Sequence, residues 1–122
     1  GCCNDDETKA EIKSTFENYN YLLDTHTAVA VKVYEDYKKA TGDETRTVIA
    51  STANPYKFSG AVYEAVGGTV SDDEWQNIAE LESKTGTKMP APLAATKNKE
   101  IRFTGSVEKQ EMPEVVCKFL KS

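Results

Sequence analysis

Much of what could give this chain a function is missing from it. No run of about 18 apolar residues occurs, so nothing reads as a membrane-spanning helix. The three cysteines, Cys2, Cys3 and Cys117, are odd in number and two are adjacent, a pattern that gives no disulfide framework. No histidine or further cysteine stands beside Cys2-Cys3 at ligand spacing, which argues against zinc. Reduced thiols in a cytoplasmic protein are the expected state. The first ten residues are acidic and polar, unlike a secretory signal. The chain starts on Gly1 instead of methionine, so a longer parent polypeptide is expected. A Gly-x-Ser-x-Gly nucleophile turn is absent. So is a phosphate-binding glycine loop, since Gly67-Gly68 has neither the spacing nor the following lysine. The net charge of -5, with Lys and Arg scattered, repels phosphate backbones and leaves nucleic acid a poor partner.

What remains is an ordinary globular composition over 122 residues, read as a single domain spanning 1–122 with a modest core. Asp5-Asp6 and the spacing of Ile12, Phe16 and Tyr19 predict a helix over 5–19. Tyr21-Leu22-Leu23 reads as a short buried strand closed by Asp24. A second helix runs from Thr27 to Ala40, with Asp24, Thr25 or Thr27 as cap and Gly42 as stop. Its opening Ala28-Val29-Ala30-Val31 is apolar all round, implying burial on more than one side. Val48 to Ala50 reads as a strand and Tyr56 to Val66 as a helix. Ser71 and Glu74 form a capping box for a helix carrying Trp75, Ile78 and Leu81. Pro90 to Leu93 reads as an extended connector and Ile101 to Phe103 as a third strand. A last helix, Glu111 to Lys121, tolerates Pro113 in its first turn and points Met112, Val115, Val116, Phe119 and Leu120 inward. Apolar β-runs separated by helices predict an α/β fold of three layers, a short parallel sheet flanked by helices.

In such folds ligands sit at the carboxyl ends of strands. Two junctions qualify here, 24–28 and 51–57. The second lies within Thr-Val-Ile-Ala-Ser-Thr-Ala-Asn-Pro-Tyr-Lys-Phe, where an apolar run ends on two adjacent hydroxyls, Ser51 and Thr52. His26, the sole histidine, occupies the first junction. Together His26, Thr27, Ser51, Thr52, Asn54 and Lys57 could line one wall of a pocket, although none is by itself a catalyst. The alternative for each is structural: a lone histidine beside a helix start, and hydroxyls that satisfy a helix N-terminus.

These residues also carry a family likeness. Asp24-Thr25-His26-Thr27-Ala28-Val29-Ala30 resembles the DPHTAVA-type segment of threonine synthases, with Thr25 where proline is common. Ser51-Thr52-Ala53-Asn54-Pro55-Tyr56-Lys57-Phe58 resembles their STAHPAKF-type segment, with Asn54 in place of histidine. The separation of the two segments fits as well, and so do Asn4 to Thr8 and Thr85 to Pro90. The resemblance covers essentially the whole chain and places it in the C-terminal portion of such an enzyme. It implies a tryptophan-synthase-β-like fold and conversion of O-phosphohomoserine and water to threonine and phosphate, with pyridoxal 5'-phosphate as cofactor. It further implies that Thr52, or secondarily Ser51, hydrogen-bonds the cofactor's pyridine nitrogen. His26, Thr27, Asn54 and Lys57 are then substrate-pocket candidates.

The family's cofactor-anchoring lysine, in a Ser-Phe-Lys-Asp-type segment, and its Gly-Asn-rich phosphate loop have no counterpart in these 122 residues. No catalytic residue is therefore assigned, and the chain alone is expected to be inactive and to bind no cofactor. Its implied partner is the remainder of the same polypeptide. Without that partner, an uncovered patch of several hundred Å2 around Ala28 to Val31 would cost several kcal/mol at about 25 cal/mol per Å2, so self-association through this face is expected. Two other readings stand beside this one. The first is a free-standing α/β binding or interaction module. The second is a small hydrolase acting through His26, for which no nucleophile or metal partner is in view.

Overall fold

The computed structural model describes residues 1–102 and 104–121. It contains six α-helices and one 3-10 turn among the described residues, and no β-strand. The helices are α1 (Asp5–Tyr19), α2 (Thr25–Thr41), α3 (Ser59–Ala65), α4 (Glu74–Thr85), α5 (Ala91–Ala94) and α6 (Met112–Phe119). The 3-10 turn, Pro55–Phe58, leads directly into α3. No described helix is long and apolar enough to cross a membrane.

Local chemistry explains the helix ends. Asn4 and Glu7 form a reciprocal capping box at α1, with Glu7 N donating to Asn4 Oδ1 at 2.9 Å and Asn4 N to Glu7 Oε2 at 2.8 Å. Gly42 stops α2 at φ 69°, its amide donating to the Lys38 carbonyl, a left-handed conformation that glycine adopts without a Cβ penalty. At α4 the cap lies two residues beyond the expected Ser71. Asp73 Oδ1 accepts from Trp75 N at 2.9 Å, while the Glu74 carboxylate accepts from Ser59 Oγ, also at 2.9 Å. Glu74 thus ties α3 to α4, and the Ser71 amide that a box would place on it donates instead to Asn77 Oδ1 at 2.8 Å.

The expected parallel sheet is overturned. Tyr21–Leu23 and Val48–Ala50 carry no ladder, nor do Ile101 and Arg102, while Phe103 lies outside the described residues. Each run is about three residues long, and a strand exists only where a neighbour takes its N–H and C=O groups. Neither Tyr21–Leu23 nor Val48–Ala50 is given such a neighbour. Leu22 and Leu23 are buried as a linker between α1 and α2, whereas Val48 is 90% exposed. The α/β, three-layer expectation is therefore replaced by a helical arrangement in which α1 packs on α2 and α3, and α3 on α4.

Ile12, Leu22, Leu23, Ala28, Tyr56, Val62, Tyr63, Ala65, Ile78 and Leu81 form the core. Ala28 lies within it and Val31 packs against it; of the run expected to be uncovered, Ala30 is the exposed residue. Gly68 sits where any Cβ would come within 2.3 Å of the Tyr63 ring, so the loop after α3 closes over that ring only with glycine. Two expectations fail towards the C-terminus. Pro90 to Leu93 is not extended but enters the one-turn helix α5. The α6 residues expected to point inward are exposed, Phe119 by 69% and Leu120 by 77%. Pro113 does fall in the first turn of α6.

Leu81 is fully buried where α4 meets the core. Leu81→Ala is expected to cost about 2–5 kcal/mol, read as a lowered denaturant midpoint at unchanged slope. Leu120→Ala, at an exposed position, should move it by no more than about 0.5 kcal/mol.

Candidate functional site

The two junctions singled out in the sequence do meet, and a residue given a lesser part there joins them. Asp24, the N-cap of α2, is 1% exposed. Its Oδ1 accepts from His26 N at 2.9 Å and from Thr27 N at 3.1 Å. Its Oδ2 accepts a short hydrogen bond from the Thr27 hydroxyl and another, at 3.4 Å, from the Ser51 hydroxyl. The Thr27 and Ser51 hydroxyl oxygens lie 3.3 Å apart. One buried carboxylate thereby gathers both junctions, across 27 residues of chain. Burial pulls the Asp24 carboxyl upward, but the Thr27 hydroxyl and the amides of Thr27 and His26 outweigh it, and its pKa lies below the ordinary carboxylate value.

The remaining candidates divide. Thr27 is buried, its hydroxyl engaged on Asp24. Asn54 caps the 3-10 turn, accepting from Tyr56 N at 3.0 Å. His26 tilts its ring against Phe58 with centroids 5.0 Å apart, and its Nδ1 lies 3.6 Å from Asp24 Oδ1. Thr52 and Lys57 are exposed. Ser51 and Asn54 line a cleft of about 270 Å3 together with Tyr21, Tyr56, Thr87 and Lys88. Thr52, His26 and Lys57 do not line it. A larger cleft of about 800 Å3 lies elsewhere, over the Lys9–Glu64 ion pair, and holds none of the candidate residues.

Two features escaped the sequence reading. Asp24 was legible as a cap candidate, from its type before Thr-His-Thr, but not as the receptor of Ser51. Tyr56 donates or accepts at 2.7 Å with Thr87, fastening the 85–90 segment beside the 51–58 segment; nothing local announces that pairing. Cys2 and Cys117 are exposed free thiols, and Cys3 sits 3.3 Å from the Thr8 hydroxyl. No group of three or more potential metal ligands occurs among the described residues.

Comparison with known proteins takes in the whole of the second junction and the last two residues of the first. The family model described as threonine synthase, C-terminal, matches residues 27–116. A threonine synthase of Methylobacillus glycogenes is 41% identical over 56 residues, which are 46% of this chain and 11% of that protein. A mouse protein called threonine synthase-like 1 is 42% identical over 65 residues, 53% of this chain and 8% of that protein. The chain therefore spans only a small part of the relatives it matches.

Because the folded-state pKa of Asp24 is lowered, the unfolded chain binds more protons as the group titrates. The stabilisation it gives is present above the unfolded value, about 3.9, and is lost as pH falls through the folded one. Denaturant titrations at pH 7 and pH 3 should therefore show a larger drop for the unmodified chain than for Asp24→Asn. Equal drops would show that Asp24 is not the coupled group.

Proposed function

This chain belongs to the threonine synthase family through its C-terminal region, and from that premise we propose that it forms one wall of a pyridoxal 5'-phosphate site, with Thr52 at the pyridine-nitrogen edge. The observation that carries this is the different standing of the two adjacent hydroxyls. Ser51 donates to a buried carboxylate, so its proton is already committed to a charged acceptor. Both residues are exposed, but the Ser51 hydroxyl is engaged with Asp24 and Thr27, and no side-chain hydrogen bond of Thr52 is among those described. Thr52 therefore has a hydroxyl to offer and Ser51 does not.

The donor set fits the edge of the cofactor ring alone. A neutral hydroxyl suits the ring nitrogen, and the nearby carboxylate of Asp24 is saturated by His26, Thr27 and Ser51. The cofactor's phosphate and its anchoring lysine are not accounted for by these residues; in this reading they belong to the remainder of the polypeptide. When bound, the cofactor supplies an electron sink, and a neutral donor at its nitrogen makes that sink weaker than a carboxylate would.

The proposed reaction is that of the family, O-phosphohomoserine and water giving threonine and phosphate. Of the four substrate-pocket candidates, Thr27 is occupied by its hydrogen bond to the α2 cap Asp24, and Asn54 as the cap of the 3-10 turn. His26 and Lys57 keep exposed side chains and are the two assigned to the substrate, Lys57 as the cation for its phosphate. The 122 residues alone are assigned no catalysis, and their place is inside a cytoplasmic biosynthetic enzyme.

Two measurements test this. In a polypeptide extended to carry the cofactor-anchoring lysine, Thr52→Val should lower kcat about ten- to hundredfold, the worth of one hydrogen bond to a charged or strongly polarised partner, with cofactor still bound. Unchanged kcat removes Thr52 from the ring edge. The 122-residue chain mixed with pyridoxal phosphate and O-phosphohomoserine should release no phosphate, and steady release would refute the one-wall reading.

A further inference from the structure

The segment from Asp43 to Asn54 connects α2 to the 3-10 turn without helical or ladder hydrogen bonds of its own. Its early part is tied back to α2 by tyrosines: Tyr37 OH donates to Asp43 Oδ2 at 2.9 Å, and Tyr34 OH to the Thr45 carbonyl at 3.5 Å. Its late part is tied by the Ser51 hydroxyl alone among the side-chain bonds described, until Asn54 caps the next turn. A backbone without ladder bonds explores many φ/ψ states, each residue fixed at a cost of about 1–2 kcal/mol. A side chain borne on such a backbone is only as well aimed as its nearest tether.

From this geometry we infer that Asp24 and Ser51 are positioning residues, a buried carboxylate and a hydroxyl that together fix the 51–54 backbone and so aim the Thr52 side chain. The Asp24 carboxylate is anchored on the α2 N-terminus by two backbone amides and the Thr27 hydroxyl, so it moves with a helix packed into the core. Ser51 is the one group from the connecting segment that reaches it. Thr52 is the next residue and is exposed. The role of Thr52 rests on the function proposed above; the clamp itself does not.

The two are separable by experiment. Backbone amide relaxation of the 122-residue chain should give Thr52 an order parameter near the rigid value of about 0.85, falling below about 0.6 in Ser51→Ala. Ser51→Thr, which keeps the hydroxyl, should restore it, and the α2 amides should stay rigid throughout. In the extended polypeptide Ser51→Ala should lower kcat about tenfold or more, misaiming being costly to the chemical step, while KM for O-phosphohomoserine stays within about twofold; Ser51→Thr should recover the rate. A Thr52 amide already mobile in the unmodified chain, or unmoved by Ser51→Ala, overturns the clamp. A loosened Thr52 in Ser51→Ala beside a fully active Thr52→Val upholds the clamp and removes the ring-edge assignment instead.

Discussion

A carboxylate taken out of water must be met by donors, because an ion left bare in the interior costs several kcal/mol. Asp24 is buried, and its needs organise the middle of this molecule. Two donors are free amides at the start of α2, which every helix leaves unpaired. Another is the Thr27 hydroxyl, one turn along. The last has to come from elsewhere, and Ser51 brings it. Satisfying one charge thus couples the register of α2 to the path of a segment that has no regular structure.

The comparison of sequence with structure is instructive at particular residues. The helix over 5–19 was legible to the residue because its signals are local: an acidic first turn and an apolar repeat on one face. For α2 the expected Thr27–Ala40 falls inside the observed Thr25–Thr41, with Asp24 the cap among the three candidates and Gly42 the stop. The strands were not, since Tyr21–Leu23 and Val48–Ala50 are apolar enough for a sheet, yet pairing is a property of the partner and no local run encodes it. The stripe on α6 failed likewise: Met112, Val115, Val116 and Phe119 show that the helix has an apolar face without showing what lies against it.

For the candidate site, residue types were readable and their division of labour was not. Ser51 and Thr52 look interchangeable in sequence. What separates them is a contact to Asp24 across 27 positions, invisible to any window of a dozen residues. The same holds for Tyr56 and Thr87, 31 positions apart. Family likeness singled out two segments that the structure brings together at Asp24.

A hydroxyl proposed to meet a cofactor from an unladdered segment raises a problem of precision that a sheet would have solved with main-chain bonds. Here Tyr37, Tyr34, Ser51 and Asn54 do so at intervals, with one or two hydrogen bonds each. Side-chain tethers of this kind are individually weak, of the order of 1 kcal/mol net. The tether at Ser51 differs because its acceptor is charged, buried and already held in place, so the bond forms against little remaining freedom on the acceptor side. In the proposed clamp, local order at residue 52 depends less on how many bonds the segment makes than on how firmly one acceptor is fixed.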